Sequence, residues 1–189
     1  MKSSKSNNKF FSINIFWFLL PLVLGLVLGV FWHGLRQQTQ DDVFVLYNKK
    51  MPLMVFSSFD GNHITTDDLL KPSSPMVLNV FASWCAPCIA EMPMLQSMQP
   101  LLKEYNVRLI GINWQDKKNS ARRFLQKYGD PFDSVIVDRN GKAMVDMGLV
   151  GVPETYVIDK NGVVRFRKVG PIITDQDRDE ILMAIKKWQ

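Results

Sequence analysis

The hydrophobic and polar positions divide this chain into two unequal parts. From Phe10 to Leu35 there is no Lys, Arg, Asp or Glu, and Ile13 to Trp32 is almost wholly apolar, about the length a helix needs to cross a bilayer. Beyond residue 50 the apolar positions come in short runs separated by turn residues. Phe56 to Ile64 predicts a hairpin around Asp60-Gly61. Thr66 to Leu70 predicts a short helical turn, and residues 71–75 a loop. Met76-Val77-Leu78-Asn79-Val80-Phe81-Ala82 reads as a buried strand and Val107 to Asn113 as a second. Between them a helix is expected from just after Cys85 to about Tyr105, kinked at Pro93. Asn119 to Tyr128 predicts a helix with Phe124 and Leu125 inward, and Ser134 to Val137 a short strand before an Asp138-Arg139-Asn140-Gly141 turn. Thr155 to Asp159 and Val163 to Val169 read as strands joined at Lys160-Asn161-Gly162, and Asp175 to Trp188 as a final helix with Ile181, Leu182 and Ile185 on one face. The alternation of strands and helices predicts a mixed α/β domain.

Charge orients the first part. Lys2, Lys5 and Lys9 precede the apolar run without an acid, whereas Arg36 is followed by Asp41 and Asp42. The positive-inside bias then leaves the N-terminus in the cytoplasm and the rest outside. Trp17 and Trp32 sit near the two ends, as interfacial aromatics do. A cleaved signal peptide is the rival, but its exit needs small residues, and Val30-Phe31-Trp32 is bulky. The expected organisation is a cytoplasmic tail over residues 1–12, a transmembrane anchor over 13–33, a tether over 34–50 and one domain over 51–189. The formal charge of +5 overstates how basic the chain beyond its N-terminal tail is: 23 Lys+Arg less the three N-terminal lysines leaves 20 against 18 Asp+Glu. No basic patch interleaved with aromatics stands out, which argues against nucleic acid.

The candidate chemistry is one motif. Trp84-Cys85-Ala86-Pro87-Cys88 holds the only two cysteines of 189 residues. A zinc site needs about four ligands, and the only histidines, His33 and His63, lie far away in sequence. Haem attachment would need His directly after Cys88, where Ile89 stands. A redox dithiol remains. A strand that delivers a cysteine to a helix N-terminus gives its thiolate free N–H groups and the positive end of the helix dipole. A purely structural disulfide is disfavoured, since so short a loop constrains the unfolded chain little. Met92, Met94 and Met98 do not share one face cleanly and read as packing. No metal is expected, and no cofactor beyond the Cys85–Cys88 disulfide itself.

Trp-Cys-x-Pro-Cys followed by a mid-helix proline resembles the thioredoxin fold, a central mixed sheet flanked by helices. Gly148-Leu149-Val150-Gly151-Val152-Pro153-Glu154-Thr155-Tyr156-Val157-Ile158-Asp159 narrows the likeness. It resembles the CcmG/DsbE family, the membrane-anchored thioredoxin-like proteins of cytochrome c maturation, over about residues 10 to 185. Phe132-Asp133 and Val137-Asp138 fit the same pattern.

The resemblance implies an extracytoplasmic reductant on a bacterial inner membrane, with its C-terminal domain on the periplasmic side. It would keep the haem-binding cysteines of apocytochrome c, or a partner thiol protein, reduced. Its electrons would come from a membrane donor of the DsbD/CcdA type. Cys85 would be the nucleophile and Cys88 the resolving thiol, with Ala86 and Pro87 forming the active-site loop. Trp84, beside the dithiol, is either a core aromatic or a residue of the rim that meets substrate, and the rim is the favoured reading. Val152 and Pro153 would present a cis-proline edge to substrate. Glu91, one turn beyond Cys88, is either a solvated helix residue or a partly buried acid that handles the Cys88 proton, since Asn79 stands where thioredoxin has its buried acid. Glu154 is expected to touch substrate or dithiol and, by its charge, to favour basic or neutral peptides over acidic ones. Pro171 replaces an acid common in the family. The neutral Ala86-Pro87 dipeptide suggests a potential nearer about −270 mV than about −120 mV. The rivals are a TlpA- or ResA-like reductase for another assembly pathway, a general oxidant or isomerase, and a non-enzymatic metal-binding thiol module. A peroxidase is disfavoured because both cysteines belong to one motif.

Overall fold

The computed structural model describes residues 11–37, 46–71 and 73–188 and divides the chain into two compact units, residues 1–43 and 44–189. In the first, helix α1 spans Phe11–Gln37 and carries Pro21 within it. Its described side chains, residues 19–32, are all exposed. Over the described side chains alone, no helix presents an apolar stretch long enough to cross a membrane. The flanking lysines and residues 38–45 of the expected tether lie outside the described residues.

The second unit is built on a seven-stranded sheet of order β2-β1-β5-β4-β3-β6-β7. The strands are β1 (Val55–Ser58), β2 (His63–Thr65), β3 (Met76–Phe81), β4 (Arg108–Trp114), β5 (Ser134–Asp138), β6 (Glu154–Ile158) and β7 (Val164–Val169). The helices are α2 (Thr66–Leu70), α3 (Ala86–Glu104), α4 (Lys118–Tyr128), α5 (Lys142–Asp146) and α6 (Asp175–Trp188). Strand β3 runs parallel to β4 and antiparallel to β6. All six of its residues are buried, as a strand covered on both faces requires.

Alternation along β3 sorts its side chains into two cores. Val77 and Phe81 face a cluster with Cys88, Met92 and Leu95 of α3, Phe124 of α4 and Ile181 and Ile185 of α6. Met76, Leu78 and Val80 face a second cluster with Ile110, Ile112, Tyr156, Ile158 and Met144 of α5. Beneath the first face Phe81 stacks on Phe132 with ring centroids 5.2 Å apart. Gly111 permits this, because a Cβ there would meet the Phe132 ring at 2.8 Å.

The expected hairpin, strands and long helices occur within a residue or two of their anticipated bounds. Helix α5 is an addition: the turn after Asp138 continues into five helical residues, and Asp138 Oδ2 accepts the Met144 backbone N–H at 2.9 Å.

Candidate active site

The site forms where β3 gives way to α3. After Phe81 the chain turns, with the Cys85 N–H donating to the Ala82 carbonyl at 3.2 Å. Cys85 then serves as the N-cap of α3: its backbone is extended and its Sγ accepts the Cys88 N–H at 3.2 Å. A residue whose side chain accepts from an early helical N–H satisfies one of the orphan donors at a helix start. Here that acceptor is a sulfur, so stabilisation of the helix end and stabilisation of charge on Cys85 are the same interaction. Cys85 and Cys88 are joined in a disulfide with Cα atoms 5.3 Å apart. Cys85 is 3 % exposed and Cys88 fully buried. Trp84, Ala86 and Pro87 stand exposed around them.

The loop between α5 and β6 lies against the first sulfur. The Val152–Pro153 peptide bond is cis, and Cys85 Sγ is 3.6 Å from the Val152 carbonyl oxygen. Val152 is half-buried and Pro153 buried. The Pro153 carbonyl accepts the Gly170 N–H at 2.9 Å, which ties the loop to the end of β7.

Glu91 is fully buried on the α3 side of the sheet. Asn79 Nδ2 donates to its Oε1 at 3.1 Å and the Ile172 backbone N–H to its Oε2 at 3.2 Å. Asn79 Nδ2 also reaches Thr155 Oγ1 at 3.1 Å. Burial raises the Glu91 carboxyl to about 7, against the opposing pull of these two donors. The solvated-helix alternative for Glu91 is thereby excluded.

Glu154 lies on the opposite face, because alternation along β6 sends it with Tyr156 and Ile158 toward the second core. It too is fully buried. Arg167 grips its two oxygens through Nε and Nη2, each at 3.0 Å. Tyr156 OH donates to Oε2 at 2.6 Å, and the Val150 and Gly151 N–H groups donate to Oε1 at 2.9 and 3.2 Å. Burial, then the neighbouring carboxylate, pushes the Tyr156 hydroxyl well above its usual value, so it stays a donor. The expectation that Glu154 offers a charge to passing peptides is therefore corrected. Its charge is neutralised by Arg167 and turned inward, and its oxygens hold the loop that leads to Val152.

A second loop supports the rim. Gln115 adopts a left-handed backbone, φ 45°, and its carbonyl accepts the Trp84 indole N–H at 3.2 Å. Gly141 makes room for the Gln115 side chain, which a Cβ would meet at 2.3 Å. Asp116 accepts the Ser83 N–H at 2.7 Å, the Ser83 hydroxyl at 2.9 Å, Asn113 Nδ2 at 3.0 Å and the Lys117 N–H at 2.6 Å. The turn before Cys85 is thus fixed by the loop after β4.

The sequence and the fold are similar to those of known proteins. The model of the AhpC/TSA family matches residues 47–167. The thiol:disulfide interchange protein DsbE of Allochromatium vinosum is 34% identical over 173 residues, covering 90% of this chain and 93% of that one. The chain belongs to the AhpC/TSA family, among its DsbE-type members. The DsbE protein of Yersinia pestis is 31% identical over 190 residues, covering 100% of this chain and 98% of its own. A crystal structure from Chlorobium tepidum, titled as a thiol:disulfide interchange protein DsbE, superposes with a TM-score of 0.63 at 29% identity, covering 74% of this chain and 97% of that one. The fold of residues 44–189 is thioredoxin-like.

Within this DsbE-type frame the expected residues separate into two sets. Cys85, Cys88, Trp84, Ala86, Pro87, Val152 and Pro153 gather around the disulfide, with Glu91 buried one turn behind it. Glu154 is displaced to the far side of the sheet. Sequence reasoning passed over Gln115, Asp116, Thr155 and Arg167. Arg167 alone left a signal: once the Lys160-Asn161-Gly162 turn fixes the hairpin, it falls opposite Tyr156 and diagonal to Glu154.

Proposed function

We propose that this protein is a thiol:disulfide oxidoreductase that works as a reductant outside the cytoplasm, on cysteine pairs of apocytochrome c or of a partner thiol protein. The observation that carries the reading is the Cys85–Cys88 pair at the N-terminus of a 19-residue helix, with Cys85 against the Val152 carbonyl. The names of the DsbE relatives support the chemistry, and the DsbE/CcmG resemblance supports the cytochrome c setting.

The reaction begins from the reduced dithiol. The Cys85 thiolate attacks one sulfur of a substrate disulfide; a Cys85–substrate bond forms, the substrate S–S bond breaks, and the leaving thiolate takes a proton. Cys88 then loses its proton, with the Glu91 carboxylate one turn away as acceptor, and its thiolate attacks Cys85 Sγ. The Cys85–Cys88 bond closes and the second substrate thiolate leaves. Two electrons pass from protein to substrate; of the two protons the substrate thiolates take up, one is the proton Cys88 released to Glu91 and the other comes from solvent. The Val152 backbone beside Cys85 is the edge against which a substrate strand would lie. A membrane donor of the DsbD/CcdA type returns the electrons.

Ile13 to Trp32 anchors the chain in the inner membrane, in this reading. The uncharged sequence from Phe10 to Leu35 and the exposed apolar side chains of α1 support it.

Trapping tests the function. In full-length Cys88→Ala the mixed disulfide at Cys85 cannot be resolved. Mass spectrometry of the trapped species is expected to find an apocytochrome c or a cytochrome c maturation thiol protein. The wild-type potential is expected nearer about −270 mV than about −120 mV. A potential at the oxidising end would remove the reductant assignment.

A further inference from the structure

A cleft of about 940 Å³ opens beside the redox motif. Ser83 and Trp84 form one wall, and the residues after β4 form the rest, from Gln115 to Ser120, joined by Arg123 and Arg139. Four of these side chains are cations, Lys117, Lys118, Arg123 and Arg139, and one is an acid, Asp116. The acid is engaged by four donors from Ser83, Asn113 and Lys117. None of the four cations makes an ion pair among the described residues, although neighbouring Arg122 does, with Asp60 at 3.6 Å. The domain as a whole is close to neutral, so this is a local concentration of positive charge rather than a share of a basic surface. Trp84 presents a 58 % exposed ring to the same cleft, held by Gln115 and tilted against Trp114 at 6.1 Å. The cleft therefore combines uncompensated cations with an anchored aromatic, one residue from Cys85.

The displacement of Glu154 removes the only anionic side chain expected at the opposite edge. What remains to select among substrates by charge is the cleft, and its sign is positive.

We infer that this cleft binds an acidic peptide segment flanking the partner's disulfide, so that the enzyme selects substrates with carboxylates beside the reacting cysteine pair. The inference rests on the reductase reading above and names the substrate class of that same site. Converging cations raise the local concentration of an anionic segment and its encounter rate, in a salt-dependent way. They set a penalty against basic segments. The backbone edge at Val152 then holds the peptide without regard to sequence, and the cleft supplies the discrimination.

The test uses the full-length chain in detergent, reduced, with three disulfide-bonded C-x-x-C peptides flanked by Asp/Glu, by Ser/Gly or by Lys. Second-order rates are measured at low and high salt. The acidic peptide is expected to react about ten-fold or more faster than the neutral one at low salt, the basic one slower than both, and the order to collapse at high salt. Lys117→Glu/Lys118→Glu/Arg123→Glu/Arg139→Glu should invert the order while leaving 2-hydroxyethyl disulfide, which is uncharged, reduced at the wild-type rate. If that variant fails to fold, Lys118→Gln/Arg139→Gln should shrink the preference, and the wild-type salt dependence decides independently. Equal rates on all three peptides, or a preference that survives high salt, overturn the inference and leave the reductase reading intact. Failure to reduce any peptide while the small disulfide is reduced overturns the reductase reading instead.

Discussion

A carboxyl group with no solvent contact has to be neutral, paired or well hydrogen-bonded. Glu91 has two donors, Asn79 and the Ile172 N–H, and no cation among the described residues. Burial outweighs the donors and brings its carboxyl to about 7 from 4.5. This makes stability depend on pH in a definite direction. Below about 4.5 the group is protonated in both folded and unfolded chains, and its contribution is fully present. As pH rises toward about 7 the unfolded chain ionises first, so that contribution is lost. Glu91→Gln removes the titration. The unfolding free energy of the oxidised wild type, from urea titration, should fall relative to the variant across that window, by at most roughly 3 kcal/mol in all. The variant carries a constant offset, because its amide cannot accept from both donors. Parallel pH profiles for the two proteins would mean that Glu91 does not titrate there.

At the scale of elements, the β6–β7 hairpin does more than close one side of the sheet. Its Glu154–Arg167 pair fixes residues 150–151, and so the approach to Val152, from the face opposite the dithiol. Removing one member of a buried pair leaves an uncompensated charge, which costs about 3–5 kcal/mol. Arg167→Met should lower the unfolding free energy by that order, and Glu154→Gln/Arg167→Met should recover part of it. A loss below about 1 kcal/mol in the single variant would count against the pair as the hold on the loop. The hairpin itself was legible in sequence, as were β3, α3 and the dithiol, because each depends on local pattern: an apolar run, an Asn-Gly turn, a cysteine before a helix start. Glu91 was legible only as a pair of alternatives, since burial is a property of what Asn79 and Ile172 bring from elsewhere in the chain. Glu154 was misread for the same reason. Its position beside Pro153 is sequential, but strand alternation decides which face its carboxylate sees. Asp116 and Gln115 carried no motif, because their roles depend on the β4–α4 loop crossing to Ser83 and Trp84. Helix α5 is too short for hydrophobic periodicity to reveal.

Across the whole molecule, the strand order places the redox motif at the end of a strand that is buried along its whole length and paired on both sides. β3 has paired neighbours on both sides, six register pairs with β4 and five with β6. The β1–β2 hairpin is attached differently. It meets the rest of the sheet through β1 and β5 at Ser57–Val137 and Ser58–Ile136 alone. Local opening free energies track how much of an element is buried and paired, so deuterium uptake should divide the domain. Amides of residues 55–65 are expected to exchange well ahead of those of 76–81 and 108–114, as one cooperative group, and proteases should cut there first. Uniform protection across both segments would contradict this. A lesion in the hairpin would then be met by a local fluctuation and leave the dithiol in place, whereas a lesion in β3 would have to unfold the domain to be felt at all.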